Sequence, residues 1–248
     1  MVEQITLSPD ERIEDLQYKG LRIIQSNVGY RFGTDSVILS GFAKAYPNER
    51  VVDLCSGTGV IAILLNGRTS ANITAVELQQ KQCKMAEKSV TLNKQSIRII
   101  NADLRNIENV LPRSQFDVVV CNPPYHNAEN GFLSHKGSDG FEGSATHSVS
   151  CTLTQLIDCI AYLLKYGGRL YICFPTTRLS ELITKLSNNG IEPKRLRLVA
   201  SRQGKTPYLM LLECKKGGNV GLLVEPSLII HDAEGNYTDE MNTIYHRV

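Results

Sequence analysis

The stretch Val51-Val52-Asp53-Leu54-Cys55-Ser56-Gly57-Thr58-Gly59-Val60-Ile61-Ala62-Ile63-Leu64 decides the fold. Val51 to Leu54 is an apolar run typical of a strand buried on both faces, interrupted only by Asp53. Two glycines then form a turn that a ligand can approach where a side chain would clash. Val60 to Asn66 continues as a helix. This order puts Asp53 near the carboxyl end of a strand, where open α/β sheets bind ligands.

The alternation extends in both directions. Leu21 to Ser26 and Tyr30 to Phe32 read as two extended pieces around the turn residues Asn27-Val28-Gly29. Thr34 to Ala45 reads as a helix that Thr34 can cap. Strands are expected at Ile73 to Val76, Ile97 to Ile100 and Phe116 to Cys121, with a helix from Gln80 to Asn93. Beyond a polar loop, Leu153 to Tyr166 reads as a helix stopped by Gly167-Gly168. A strand from Arg169 to Phe174 and a helix from Arg178 to Asn188 follow. Arg195 to Ala200 and Tyr208 to Cys214 have no helix between them, which predicts an antiparallel pair at one sheet edge. The tail offers a strand from Ser227 to Ile230, a turn at Asp232 to Asn236 and a short helix from about Asp239. Apolar strands alternating with helices predict a parallel sheet covered on both faces.

The 248 residues, 42% of them hydrophobic, suffice for one domain with a substantial core. A single domain over 1–248 is expected, with an N-terminal extension (1–48), a core (49–216) and a tail (217–248). No run approaches the ~18 apolar residues of a membrane span. The polar start MVEQITLSPDERIED has no signal-peptide core, so a cytoplasmic protein is expected. The seven cysteines are odd in number and form no CxxC pair, which suits reduced structural residues. The histidines His126, His135 and His147 share one long loop, His126 to Ser150, without zinc spacing, so no metal is expected. Such a loop suits a lid or substrate-binding element.

The glycine turn alone leaves two readings open. Gly57-x-Gly59-x-x-Ala62, with Glu77 twenty residues beyond Gly57, also fits a dinucleotide fingerprint and hence a nicotinamide-dependent oxidoreductase. Asp53, however, would repel a pyrophosphate and attract a methionyl ammonium. A further acid, Asp103, follows the third strand, where it could accept from an adenine amino group. Acids after three successive strands suit a cofactor without phosphate.

The fourth strand runs into Asn122-Pro123-Pro124-Tyr125. The prolines stiffen the backbone and remove two N–H donors, leaving a nearby carbonyl free to accept. The Asn122 side-chain oxygen is a second acceptor. Two acceptors on one exocyclic NH2 draw it from planar toward tetrahedral and localise its lone pair. Tyr125 offers a ring for base stacking, worth ~1–3 kcal/mol. The chemistry expected is methyl transfer to a planar amine by in-line displacement, assisted mainly by positioning.

In order, DLCSGTG, Glu77, Asp103 and NPPY resemble the small-domain, amino-methyltransferase branch of the class I S-adenosylmethionine-dependent methyltransferases. Phe32-Gly33-Thr34-Asp35 resembles the extra N-terminal cofactor motif of that branch. Ile191 to Val199 with the SRQGK after it, and Leu228 to Met241, resemble the bacterial tRNA(Val) adenine-N6 methyltransferases. The resemblance implies a Rossmann-like, doubly wound seven-stranded sheet with one antiparallel strand, a small N-terminal extension and a C-terminal hairpin and helix. It implies S-adenosylmethionine as cofactor. Thr34, Asp35, Asp53, Ser56, Gly57, Thr58 and Gly59 would lie at its methionine end. Glu77 would take the ribose hydroxyls, Leu78 would pack on the adenine, and Asp103 and Leu104 would contact the adenine edge. Asn122, Pro123, Pro124 and Tyr125 would hold the target amine. Where the family often carries an Arg-His-Glu-like run, this chain has Ala145-Thr146-His147-Ser148.

The implied substrate is N6 of an adenine in a tRNA anticodon loop, a single-stranded target whose base is turned out at small cost. Net charge is only +2, yet the segment between Gly190 and Gly218 carries seven cations against two acids. Lys194, Arg195, Arg202 and Lys205, with Arg31 and Lys136, form the expected RNA surface. The alternatives are a guanine-N2 methyltransferase of rRNA, a glutamine-N5 methyltransferase of protein, the nicotinamide enzyme, and a non-catalytic RNA-binding module.

Overall fold

The computed structural model describes residues 5–27, 32–124 and 151–246. A two-stranded antiparallel ribbon, β1 (Glu11–Asp15) and β2 (Arg22–Ser26), precedes α1 (Thr34–Phe42). The chain then runs β3 (Arg50–Leu54), α2 (Val60–Arg68), β4 (Asn72–Glu77), α3 (Gln80–Leu92), β5 (Ile97–Asn101) and β6 (Phe116–Cys121). It continues through α4 (Leu153–Leu163), β7 (Leu164–Pro175), α5 (Leu179–Asn188), β8 (Ile191–Arg202), β9 (Leu209–Lys216), β10 (Leu223–His231) and α6 (Asp239–Ile244).

Strands β3 to β10 form one sheet in the order β10-β8-β9-β7-β6-β3-β4-β5. Only β9 runs antiparallel to its neighbours, β7 and β8. The sheet therefore has eight strands, one more than expected. The extra strand is the tail's: β10 pairs in parallel with β8, from Leu223↔Arg195 to His231↔Arg202. Its buried Leu228 and Ile230 join the main core, so the tail closes the sheet. The expected hairpin is reduced to one bridge, His231↔Tyr237.

Three other expectations need correction. Leu21 to Ser26 finds its partner upstream in β1, whose charged sequence ERIED carries little strand signal. The first helix stops at Phe42, because Ala43 is already extended (φ −70°, ψ 139°). The fourth stops at Leu163, because Leu164 pairs with Phe116 and opens β7.

Successive side chains along a strand face opposite ways. Val118 and Val120 of β6 enter one core, with α1, α2 and α6. Val119 and Cys121 enter the other, with α4 and α5. Each fully buried aliphatic side chain contributes roughly 1.5–3 kcal/mol. A one-residue slip would exchange the two cores, so the register is firmly set. Strand order reverses between β3 and β6, the switch point where open sheets form a crevice at their carboxyl ends. There Leu54 pairs with Cys121, which sets the Cys55-Ser56-Gly57 turn beside Asn122.

Candidate active site

Gly59 caps α2 with φ +87°, and a Cβ on it would lie 3.3 Å from Ala86 Cβ on α3. Both the backbone angle and the close approach call for glycine. The Ser56 N–H donates to the Val76 carbonyl (3.1 Å), tying the turn to β4. Glu77, at the end of that strand, accepts from Gly57 N–H (2.9 Å) and from Gln79 N–H (2.8 Å).

Asp53 is fully buried. Its Oδ2 accepts from Ala62 N–H (3.2 Å), while Oδ1 has no partner among the described residues. Ser56 Oγ is likewise buried and unpartnered among them. Burial holds the Asp53 carboxyl well above its usual range, and the Glu77 charge adds to the effect. Unpaired buried oxygens of this kind are costly, and a cationic, hydrogen-bonding ligand would satisfy both. The donor set thus fits the ammonium-bearing end of S-adenosylmethionine.

Leu78 presents an exposed side chain immediately beyond Glu77. Asn101, which the sequence did not flag, donates to the carbonyls of Glu77 (2.9 Å) and Leu78 (2.8 Å) and fixes this corner. Asp103 is engaged: it accepts the Arg105 N–H (2.9 Å) and pairs with that guanidinium, which holds its carboxyl below the usual range. Leu104 begins the short helical turn that Asp103 caps.

Asn122 leaves β6 toward α1. Its Nδ2 donates to Ser36 Oγ (3.0 Å), and the Cys173 thiol donates to its Oδ1 (3.1 Å). Pro123 is buried and Pro124 exposed. Asn122 lines one cleft with Ser36, Ser56, Gly57 and Thr58. Phe32 of the N-terminal motif and Cys55 of the glycine turn line it too, as do Gln25 and Gln82, which were not foreseen. Gln25 is a buried amide that follows the two buried isoleucines Ile23 and Ile24 of β2. Thr34 opens α1, but Gly33 is the cap and makes no side-chain bond. Asp35, its carboxyl raised by burial, accepts from the Tyr208 hydroxyl (3.3 Å). Arg31, Tyr125, Lys136, the three loop histidines and Ala145 to Ser148 lie outside the described residues.

The basic segment divides between two ends of the sheet. Arg202 and Lys205 are exposed at the β8–β9 tip, on the rim that carries Asn122. Lys194 sits near the foot of β8, roughly 26 Å away along the strand, and donates to the Asn219 carbonyl (2.6 Å). Arg195 is pinned by Glu213 (3.0 Å) and Glu225 (3.3 Å) and lies over the Phe42 ring (4.1 Å). Arg197 pairs with Glu240 (2.7 Å). Among the described residues no group of three or more His, Cys, Asp or Glu could hold a metal, and no helix is long and apolar enough to cross a membrane.

Residues 29–135 match the family model described as Methyltransferase small domain. A tRNA1(Val) (adenine(37)-N6)-methyltransferase from Tolumonas auensis is 27% identical over 228 residues, spanning 90% of this chain and 91% of the relative. A protein of the same name from Bacteroides thetaiotaomicron is 29% identical over 229 residues, spanning 90% and 92%. A crystal structure described as a predicted O-methyltransferase from Agrobacterium tumefaciens superposes with a TM-score of 0.69 at 20% identity, over 85% of this chain and 95% of that one.

Proposed function

We propose that this chain, an S-adenosylmethionine-dependent methyltransferase related to the tRNA1(Val) adenine-N6 methyltransferases, methylates N6 of an adenine in a tRNA anticodon loop. The observation that carries the reading is the place of Asn122. It stands at the carboxyl end of β6, in the same cleft as the Ser56-Gly57-Thr58 turn.

S-adenosylmethionine, when bound, supplies an electrophilic methyl group on a sulfonium. Asp53 Oδ1 and Ser56 Oγ are the groups to receive its ammonium end. Glu77 retains unused lone pairs for ribose hydroxyls, and Leu78 offers an apolar surface to the adenine. Asp103 would contact the adenine edge as a pair with Arg105 rather than as a lone carboxylate. Asn122 Oδ1, together with a nearby backbone carbonyl, would accept from the target NH2. That pair of bonds localises the nitrogen lone pair and aims it into the cleft. No strong base is needed, since the methylated amine is acidic enough to lose its proton to water. Positioning supplies most of the rate enhancement. Arg202 and Lys205 are the cations best placed to hold phosphates beside the cleft.

Tritiated methyl transfer onto unmodified total tRNA, rRNA and protein, followed by nucleoside analysis, tests this. The expected product is N6-methyladenosine in tRNA. Label in rRNA guanine or protein glutamine would overturn the tRNA reading while leaving the amine chemistry intact.

A further inference from the structure

We infer that Gln25 is a positioning residue of the methyl-transfer site: its amide clamps the chain at Phe32 and so shapes the cleft wall that leads into α1. The inference rests on the proposed seat of the cofactor in that cleft.

Gln25 is 1% exposed. A buried amide costs free energy unless its ends are bonded. Here both ends are. Nε2 donates to Glu14 Oε2 of β1 (2.8 Å), and Oε1 accepts the Phe32 backbone N–H (3.0 Å). A backbone N–H can only donate, so it must meet the amide oxygen, and this fixes the orientation. Glu14, paired with Arg12, receives the nitrogen end. The clamp also has a firm base. The Ile24 N–H donates to Ser89 Oγ (2.8 Å). Asn93 accepts from the Arg22 N–H (2.8 Å) and donates to the Arg22 carbonyl (2.6 Å). The ribbon is thereby fixed to α3, the helix that follows Glu77. Gln25 carries that fixed point across to Phe32, two residues before α1 begins. Gln25 and Phe32 both line the cleft, as does Ser36 in the first turn of α1. A clamp that served stability alone could sit anywhere along the ribbon. This one lies in the cleft wall, and what it holds is the lead into Asp35 and Ser36. Gln25 acts through Phe32 and needs no bond to the cofactor.

The test uses hydrogen exchange in protein labelled with 15N-phenylalanine, the Phe32 signal being assigned from its loss in F32L. S-adenosylhomocysteine affinity and melting are measured alongside. In the wild type the Phe32 amide should be protected, and saturating S-adenosylhomocysteine should slow its exchange further, since coupling between sites is reciprocal. Q25L should exchange this amide faster and bind S-adenosylhomocysteine about tenfold more weakly, the scale of one net hydrogen bond. E14Q/Q25E reverses donor and acceptor between the two side chains yet keeps an acceptor for the Phe32 N–H, and should recover most of the loss. A swap as weak as Q25L, with a melt like the wild type's, assigns the loss to packing and overturns the clamp. Wild-type affinity in Q25L beside a weakened D53N overturns the role of Gln25 alone. Wild-type affinity in both overturns the seat of the cofactor and the inference with it. Should Q25L fail to fold, the wild type decides: a Phe32 amide that exchanges at the same rate with and without S-adenosylhomocysteine overturns the inference.

Discussion

Glu77 Oε2 accepts the backbone N–H of Gly57 at 2.9 Å, so the acid that ends β4 holds the turn that leads into α2. Its other oxygen accepts Gln79 N–H at 2.8 Å. One carboxylate thereby shapes both the glycine turn and the corner beside Leu78.

E77A should remove both acceptors. Hydrogen bonds to a charged group contribute about 1.5–3 kcal/mol. We expect S-adenosylhomocysteine affinity to fall at least about 30-fold by titration calorimetry, with E77Q intermediate. Unaltered affinity in E77A would remove Glu77 from the cofactor site.

Asp53 predicts a proton linkage. Burial holds its carboxyl well above the usual range, so the folded protein keeps a proton there that the unfolded chain releases. The stability due to the neutral form is complete below the unfolded carboxylate range and is lost as pH rises through the folded value. A bound ammonium favours the ionised form instead. Binding of S-adenosylhomocysteine should therefore release a proton, visible as a buffer-dependent enthalpy in calorimetry. D53N should bind more weakly and show no buffer dependence.

The division of the basic segment predicts unequal effects from equal charge changes. R202E/K205E, at the rim, should weaken tRNA binding about tenfold or more and reduce the salt slope by about two. K194E, near the far end of the sheet, should leave both close to wild type. Equal losses in the two proteins would mean that RNA covers the whole of β8.

Arg195 answers to a different assay. Its guanidinium joins Glu213, Glu225 and the Phe42 ring. R195A leaves two carboxylates facing each other without a cation and should cost about 2 kcal/mol of stability. Denaturant unfolding would show this, with tRNA affinity per folded molecule little changed. A large loss of tRNA affinity at unchanged stability would return Arg195 to the RNA surface.

The central strands were legible because their apolar runs are bounded by turn residues. Phe116 to Cys121 was read at both its ends, and Val51 to Leu54 begins one residue early in the structure, at Arg50. β1 was not legible: four of its five residues are charged, and its one apolar side chain, Ile13, is exposed. β10 was read too short, since only Leu228 and Ile230 are buried and its first half faces solvent. Within the site, residue type and spacing marked Asp53, Glu77 and Asn122. The partners that orient them did not stand out. Asn101, Ser36 and Cys173 are common polar or sulfur residues whose contacts join elements far apart in sequence. Charge alone also could not separate Arg195 from Arg202, because strand direction decides which end of the sheet each one reaches.

In the finished fold, β10 closes the sheet against β8, and α6 lies on α1 so closely that a Cβ at Gly41 would stand 3.2 Å from Ile244. The helix that carries Ser36 is thus held by a segment the ribosome makes much later. A nascent chain can assemble β3 to β6 early, but α1 has nothing to seat against on that side until Ile244 has left the exit tunnel. Catalytic competence should accordingly trail behind the growth of the core during translation.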